Sequence, residues 1–453
     1  MNRVLAFLLL VLAIDTTAAT PDLVQNAHGR TGIDLDGAWS RIVDPFENGY
    51  YDYRWRPKED GYFIARKPNG PADLVEYDFD TAAKLAVPGD WNSQEAELFL
   101  YEGTVWYHRN FALTPKPGHR YRIHFGAVNY HATVWINGRE AGRHEGGFTP
   151  FQFDITDLLQ GGDNFVVVKV DNRRAPDQVP TVNTDWWNYG GITRPVRIIE
   201  LPERHVRDWF LHYTTDGRIA GWVAASAAGS VTLSIPELGL RQAIEADTDG
   251  RAPFAIEARA ELWAPGSPRL YDVELSFGDD TVRDRVGFRT VQAVGTNILL
   301  NGKPVFLRGI SLHEEAPGGG RAWSEAHART LLGWAHELGA NFVRLAHYPH
   351  NEAMVRMADE LGLLVWSEVP VYWTIDFDDP AVYAKAESQL SEMITRDRNR
   401  GSVVLWSVAN ETPAHTARTA FLTRLANRAR ELDSTRLITA ALDTQRDVGG
   451  ARV

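Results

Sequence analysis

The residues best placed to do chemistry lie near the end of the chain. There the apolar run Val403-Val404-Leu405-Trp406-Ser407-Val408-Ala409 stops on Asn410-Glu411. An unbroken apolar run is the mark of a strand buried on both faces, the usual state in a parallel α/β sheet. A carboxylate at the C-terminal end of such a strand points into the mouth of a (β/α) barrel, where that fold keeps its chemistry. The plain alternative is that Glu411 only starts a loop or caps the next helix.

The elements that would hold this pair can be traced from about residue 292. Strands are expected at Val305–Ile310, Phe342–Ala346, Leu363–Val369, Val403–Ala409 and Leu437–Leu442. Helical patterns separate them. The first starts at the N-cap Ser324 and closes at Gly339, and the second carries Met354, Val355, Met357, Ala358 and Leu361 and ends at Gly362. The third opens on Asp379-Pro380, an N-cap followed by proline at the first helical position, and the fourth covers Thr416 to Leu432. Alternating strands and helices imply a parallel sheet. Five strands are too few to close an eight-stranded barrel, so the expected fold of this region is an incomplete (β/α)8 TIM barrel, as in a truncated enzyme.

The preceding residues have a different texture. From about Thr31 to Pro202 short alternating runs such as Thr104–Phe111, Tyr121–Phe125, Ala132–Ile136, Phe165–Val170 and Val196–Glu200 follow one another, with Asn137-Gly138 as a hairpin signal and no convincing helix. Many short strands imply a β-sandwich of the jelly-roll kind. A smaller all-β stretch, including Ser230–Ile235 and Tyr271–Phe277, has the spacing of an immunoglobulin-like sandwich, and Gly278-Asp279-Asp280 within it reads as a turn rather than a metal site. The expected organisation is therefore a leader at 1–19, a jelly-roll sandwich at 20–202, an immunoglobulin-like sandwich at 203–291 and the N-terminal part of a barrel at 292–453.

The leader follows from Met1-Asn2-Arg3, the apolar stretch Val4 to Ile14 and Thr17-Ala18-Ala19, the order of a secretory signal cleaved after Ala19. Its apolar run is too short for a membrane span, so an exported protein with no membrane partner is expected. Cysteine is absent from the 453 residues, which excludes disulfides and thiolate metal sites. A formal net charge of −12 argues against nucleic acid as a partner. The 15 tryptophans supply sandwich core, and exposed indole faces also stack on sugar rings.

In order along the chain come Val87-Pro88-Gly89-Asp90-Trp91, Tyr101-Glu102-Gly103-Thr104-Val105-Trp106-Tyr107, Val134-Trp135-Ile136-Asn137-Gly138, Gly146-Gly147-Phe148-Thr149-Pro150-Phe151 and Asp185-Trp186-Trp187-Asn188-Tyr189-Gly190-Gly191-Ile192. The barrel region adds Leu300-Asn301-Gly302-Lys303-Pro304, Leu307-Arg308-Gly309, His313-Glu314, Asn341-Phe342-Val343-Arg344, His347-Tyr348-Pro349 and Trp406-Ser407-Val408-Ala409-Asn410-Glu411. Taken together and in this order, the chain after the leader resembles glycoside hydrolase family 2, the β-glucuronidases, β-galactosidases and β-mannosidases.

The resemblance implies roles. Glu411 matches the general acid/base, and Asn410 the neighbour that hydrogen-bonds the sugar 2-hydroxyl. His313 matches a residue lining the sugar subsite, Arg344 and His347 a rim supporting the carboxylates, and Asp185 an acidic residue that reaches from the sandwich to the sugar. Two structural readings stand beside these: Arg344 and Glu368 as a buried ion pair between neighbouring strands, and His347 as a satisfied core histidine. The family's retaining mechanism needs a second carboxyl about 5–5.5 Å from the first, on strand seven, beyond the five recognisable strands. Glu368, ending strand three, is a poor substitute, because adjacent strands would place both carboxylates on one side of the sugar. The resemblance implies an exo-acting β-glycosidase most like a β-glucuronidase, from the form of the Asp185–Ile192 loop. A β-galactosidase is the alternative, a β-mannosidase more distant, and a non-catalytic carbohydrate-binding fragment the rival from another class. A carbohydrate partner, possible assembly as a homo-oligomer, no cofactor and no metal complete the expectation.

Overall fold

Backbone polar groups in an all-β segment can be satisfied only across strands, and the first part of the chain does this in two facing sheets. The computed structural model describes residues 22–58, 70–72, 78–317, 319–321 and 324–443, so the expected leader lies outside the described residues. One sheet has six antiparallel strands, in the order Lys84–Val87, Gly37–Val43, Thr104–Leu113, Gly162–Asp171, His131–Ile136, Arg139–Glu145. The other has four, in the order Gly32–Asp34, Val196–Pro202, His119–Phe125, Phe151–Asp154. Between them lies a core that includes Trp39, Val105, Tyr107, Ile123, Val168 and Ile198. The Asn137-Gly138 turn takes positive φ at both residues (51° and 79°), which fits the two-residue hairpin its sequence implies. The segment is not free of helix: one turn, Trp91–Gln94, is capped by Asp90, which accepts from the Ser93 amide at 2.7 Å.

A second sandwich follows. Its sheets are Val206–Tyr213, Arg218–Ala225, Arg251–Glu257 and, facing them, Leu240–Ala246, Gly229–Ile235, Tyr271–Phe277, Asp280–Val286. Trp209, Val231, Leu233, Leu275 and Phe277 fill the space between.

The C-terminal part is a parallel sheet of five strands in sequential order: β1 (Gly309–Leu312), β2 (Phe342–Leu345), β3 (Leu364–Glu368), β4 (Val403–Asn410) and β5 (Leu437–Ala441). Helices α1 (Glu325–Glu337), α2 (Glu352–Leu361), α3 (Pro380–Asp397) and α4 (Thr416–Leu432) connect them. The caps follow local chemistry: Ser324, Asn351 and Asp379 each accept a hydrogen bond from a first-turn amide, and Gly362 closes α2 in the left-handed region.

The first strand departs from its expected place. Pairing begins at Gly309, not Val305, because Val305 and Leu307 pack into a cluster with Trp263, Leu300, Phe342, Leu364 and Val404 at the N-terminal ends of the strands. Glycine is needed where pairing starts, since a Cβ at residue 309 would come within 2.5 Å of the Phe342 ring. That apolar cluster closes one end of the sheet and leaves the C-terminal ends of β1 to β4 open toward the first sandwich.

The join to that sandwich is polar and buried. Arg194, next to the strand Val196–Pro202, donates to Glu314 at 3.0 Å and to the Pro349 carbonyl at 2.6 Å, and neither side chain is more than 2 % exposed. Glu314 also accepts from the Asn351 amide. Burial pulls the Arg194 guanidinium down to about 10 while Glu314 holds it up, so the pair remains ionised at neutral pH. Removing one member of such a pair costs about 3–5 kcal/mol, because the other charge is stranded. Arg194→Met is therefore expected to lower the denaturant midpoint of the unfolding step that includes the parallel sheet, and Arg194→Met combined with Glu314→Met to recover part of the loss. A double variant as unstable as the single, measured by urea titration, would contradict this.

Candidate active site

Glu411 and Asn410 reach their places through a defect in strand β4. A regular strand turns residues three apart to opposite faces. In β4 the register against β5 shifts between Ser407 and Asn410, so Ser407 pairs with Thr439 and Asn410 with Ala441. The extra residue of this bulge lets Ser407 and Asn410 bond to members of one polar cluster. Glu411 then leaves the strand with φ at 48°, a left-handed conformation that costs a non-glycine residue roughly 1–2 kcal/mol. Its amide is held by the Ala441 carbonyl at 2.8 Å, and its exposed carboxylate accepts a hydrogen bond from the Trp373 indole at 3.1 Å.

The shared cluster is centred on Glu368, which is wholly buried at the end of β3. Arg344 donates to both of its oxygens, at 2.8 and 3.0 Å. His347 Nδ1 lies 3.0 Å from one oxygen, and the Trp366 indole and the Ser407 hydroxyl donate to the other at 3.1 and 2.8 Å. With this many partners Glu368 is a fixed structural charge; it has no oxygen left to attack a sugar. The same Arg344 nitrogen reaches Asn410 Oδ1 at 2.5 Å. This fixes the amide, because only its oxygen can accept from a guanidinium. Asn410 Nδ2 is left buried with no protein acceptor among the described residues. A buried donor without a partner is costly, and a ligand oxygen placed there would satisfy it.

The outer wall comes from two domains. His313 follows β1, with Nδ1 3.3 Å from the Tyr348 hydroxyl, and its ring centroid is 5.3 Å from that of His347. Burial and the neighbouring His347 lower the His313 pKa, so it is neutral at pH 7. Asp185, on the sandwich loop, lies close enough that one donor atom each from Asp185, His313 and His347 falls within 4.8 Å of the others. Asp185 also hydrogen-bonds Tyr372, whose hydroxyl is pushed far up, first by burial and then by that carboxylate. All six residues singled out from the sequence, Glu411, Asn410, His313, Asp185, Arg344 and His347, thus gather at the open ends of β1 to β4.

Five aromatic residues of the site were given no role from the sequence, although Phe148, Trp186 and Tyr348 stand in the quoted motifs. Trp186 packs with Phe148, Tyr348 and Tyr372 in one buried group and lies 6.2 and 6.0 Å from the rings of His313 and His347. Tyr372 bridges to Asn410 through the backbone, and its neighbour Trp373 binds Glu411. The signal for this last pair was the doublet Tyr372-Trp373 just beyond the end of a buried strand, where a barrel keeps functional side chains.

A parallel sheet with carboxylate, amide, imidazole and guanidinium groups at its C-terminal edge, capped by a sandwich loop rich in tryptophan, defines a carbohydrate-active class of protein. Residues 35–202 match the family model described as the sugar binding domain of glycosyl hydrolases family 2, and residues 291–449 match that of its TIM barrel domain. A beta-glucuronidase from Paenibacillus borealis is 30% identical over 462 residues, covering 90% of this chain and 72% of its own length. A relative from Formosa agariphila is 31% identical over 392 residues, and the match spans 78% of this chain but only 46% of that protein. Among solved structures, the beta-glucuronidase of Ruminococcus gnavus in complex with D-glucaro-d-lactam superposes with a TM-score of 0.80 at 28% identity, over 95% of this chain and 75% of that one. The chain belongs to glycosyl hydrolase family 2.

One buried group near the site, among several buried histidines, makes stability depend on acid. His350 is fully buried, with Nε2 2.9 Å from the Ala346 carbonyl and Nδ1 without a partner among the described residues. Burial lowers its pKa from 6.5 to about 4, against the opposing pull of Glu314. Below about 6.5 the unfolded chain takes up this proton and the folded chain does not, so stability falls as pH drops from about 6.5 toward 4. His350→Gln, which can still donate to Ala346, is expected to flatten the dependence of urea midpoint on pH across that window. An unchanged slope would show that other groups dominate.

Proposed function

We propose that the protein is a retaining β-glycosidase acting on β-glucuronides, with Glu411 as general acid/base. The observation that carries this is the pairing of the exposed Glu411 carboxylate with a pinned Asn410 whose Nδ2 has no acceptor among the described residues. A sugar 2-hydroxyl is the ligand group that fits such a donor, and that hydrogen bond strengthens as the oxocarbenium-like transition state forms. Glu411 would protonate the departing oxygen and later deprotonate the incoming water. The Trp373 indole N–H steadies its carboxylate. Asp185, His313 and Trp186 would hold the sugar ring against Asn410, and Arg344 with Glu368 would keep Asn410 in register with Glu411.

The second carboxylate belongs, on this reading, to a strand outside the five described, so the parallel sheet is part of an eight-stranded barrel preceded by a jelly-roll and an immunoglobulin-like sandwich. Glucuronides are favoured over galactosides by the form of the Asp185–Ile192 loop, and the glucuronidase relatives accord with that choice. The signal-like start of the chain supports export, and among the described residues no helix is long and apolar enough to cross a membrane.

In a protein carrying the whole barrel, Glu411→Gln is expected to lower kcat/KM on glucuronides with poor leaving groups by about 10²–10⁴-fold, the usual contribution of a positioned acid. Aryl glucuronides with good leaving groups need little protonation and should lose less in the first step. Added azide should restore turnover by replacing the water that Glu411 activates. Equal losses on both substrates with no azide effect would assign Glu411 a structural role.

A further inference from the structure

The cluster of Asp185, His313 and His347 has a second chemistry that sugar recognition does not require. Two imidazoles and one carboxylate face one another with donor atoms inside 4.8 Å, and both rings are already oriented from behind. His347 Nδ1 sits 3.0 Å from the Glu368 carboxylate, and His313 Nδ1 sits 3.3 Å from the Tyr348 hydroxyl. With Nδ1 so engaged, Nε2 is the nitrogen through which each ring would bind a metal. A carboxylate or hydroxyl bonded to the far nitrogen is the arrangement that fixes the ring and raises the basicity of a metal-binding histidine. Arg344 contributes a nearby positive charge, but its guanidinium is bound to Glu368 at 2.8 Å.

We infer that Asp185, His313 and His347 form a binding site for a borderline divalent transition cation such as Zn2+. Two nitrogens and one oxygen are a donor set of that class, whereas Mg2+ and Ca2+ prefer oxygen alone. Bond lengths of about 2.0–2.2 Å place the donors of a tetrahedral site roughly 3.3–3.6 Å apart, so the cluster must contract slightly on binding. Asp185 supplies that movement by giving up its hydrogen bond to Tyr372: it is exposed and carried on a loop, while both histidines are held by their outer hydrogen bonds. Arg344 touches both His347 and Asn410, so the cluster and Asn410 belong to one site. A cation held there would obstruct the sugar pocket, which makes it an inhibitory ligand rather than a cofactor. Its binding does not depend on the glycosidase reading.

The test is direct metal binding to the full chain after treatment with a chelator, using Zn2+ in calorimetry and Co2+ for its visible absorption. One Zn2+ per chain is expected, together with Co2+ bands typical of four or five ligands. Asp185→Asn and His313→Asn should each weaken Zn2+ binding by about tenfold or more, while His336→Gln on the exposed face of α1 should not. Asp185 is a solvent-exposed loop residue, so Asp185→Asn remains informative if the histidine variant does not fold. No bound Zn2+, or Zn2+ binding unaltered by Asp185→Asn, would overturn the assignment.

Discussion

The site depends on one buried charge. Glu368 is removed from water at the end of a strand, a position that would cost several kcal/mol if its carboxylate were unpaired. Its partners come from its own strand and both neighbours: Trp366 on β3, Arg344 on β2 with His347 just beyond it, and Ser407 on β4. Those bonds fix the relative heights of three strands at the open end of the sheet. Asn410 is attached to the same guanidinium, and Glu411 follows it by one residue. The position of the exposed carboxylate is thus tied to a second, buried carboxylate. The bulge in β4 belongs to the same arrangement, because without it Ser407 and Asn410 could not both reach the cluster.

The first sandwich is a structural part of the site as well as a neighbour. Asp185 and Trp186 come from its loop, and the ion pair of Arg194 with Glu314 locks that domain to the residue immediately after His313. A hydrophobic contact would leave the two bodies free to slide. Buried hydrogen bonds with defined direction hold the loop in register with the ends of β1 and β2. Phe148 stacks on Tyr348 across the same join, with ring centroids 4.2 Å apart.

Much of this was legible from residue order. Binary patterning located β2 to β5 to within two residues, and capping residues such as Ser324, Asp379 and Gly362 marked helix ends, because these signals are local. The six polar residues that the structure brings together were singled out through the motifs that contain them. The first strand was misplaced because Val305 and Leu307 are apolar for a reason that periodicity does not encode: they cap the sheet end rather than belong to it. The bulge in β4 and the left-handed Glu411 were hidden as well, since nothing in Val408-Ala409-Asn410 distinguishes a bulged strand from a straight one. Trp186 and Tyr348 stood in quoted motifs without a role of their own and Tyr372 was not singled out, although their packing places them against the histidines. The alternatives left open at Arg344 and His347 are not exclusive. Both are in the ion-paired cluster with Glu368, and both border the pocket.

On the proposed reading Glu411 is the general acid/base of a pair of carboxylates flanking the scissile bond, and Glu368, bound on both oxygens, is not the other member. The measurement that tests this most directly is proton NMR of the sugar first released from a β-glucuronide by the protein carrying its whole barrel. Two carboxyls at about 5–5.5 Å give double displacement, so the β-anomer should form first and mutarotate later. Release of the α-anomer would mean single displacement by water between more distant carboxylates. That result would contradict Glu411 as the acid/base of a retaining pair.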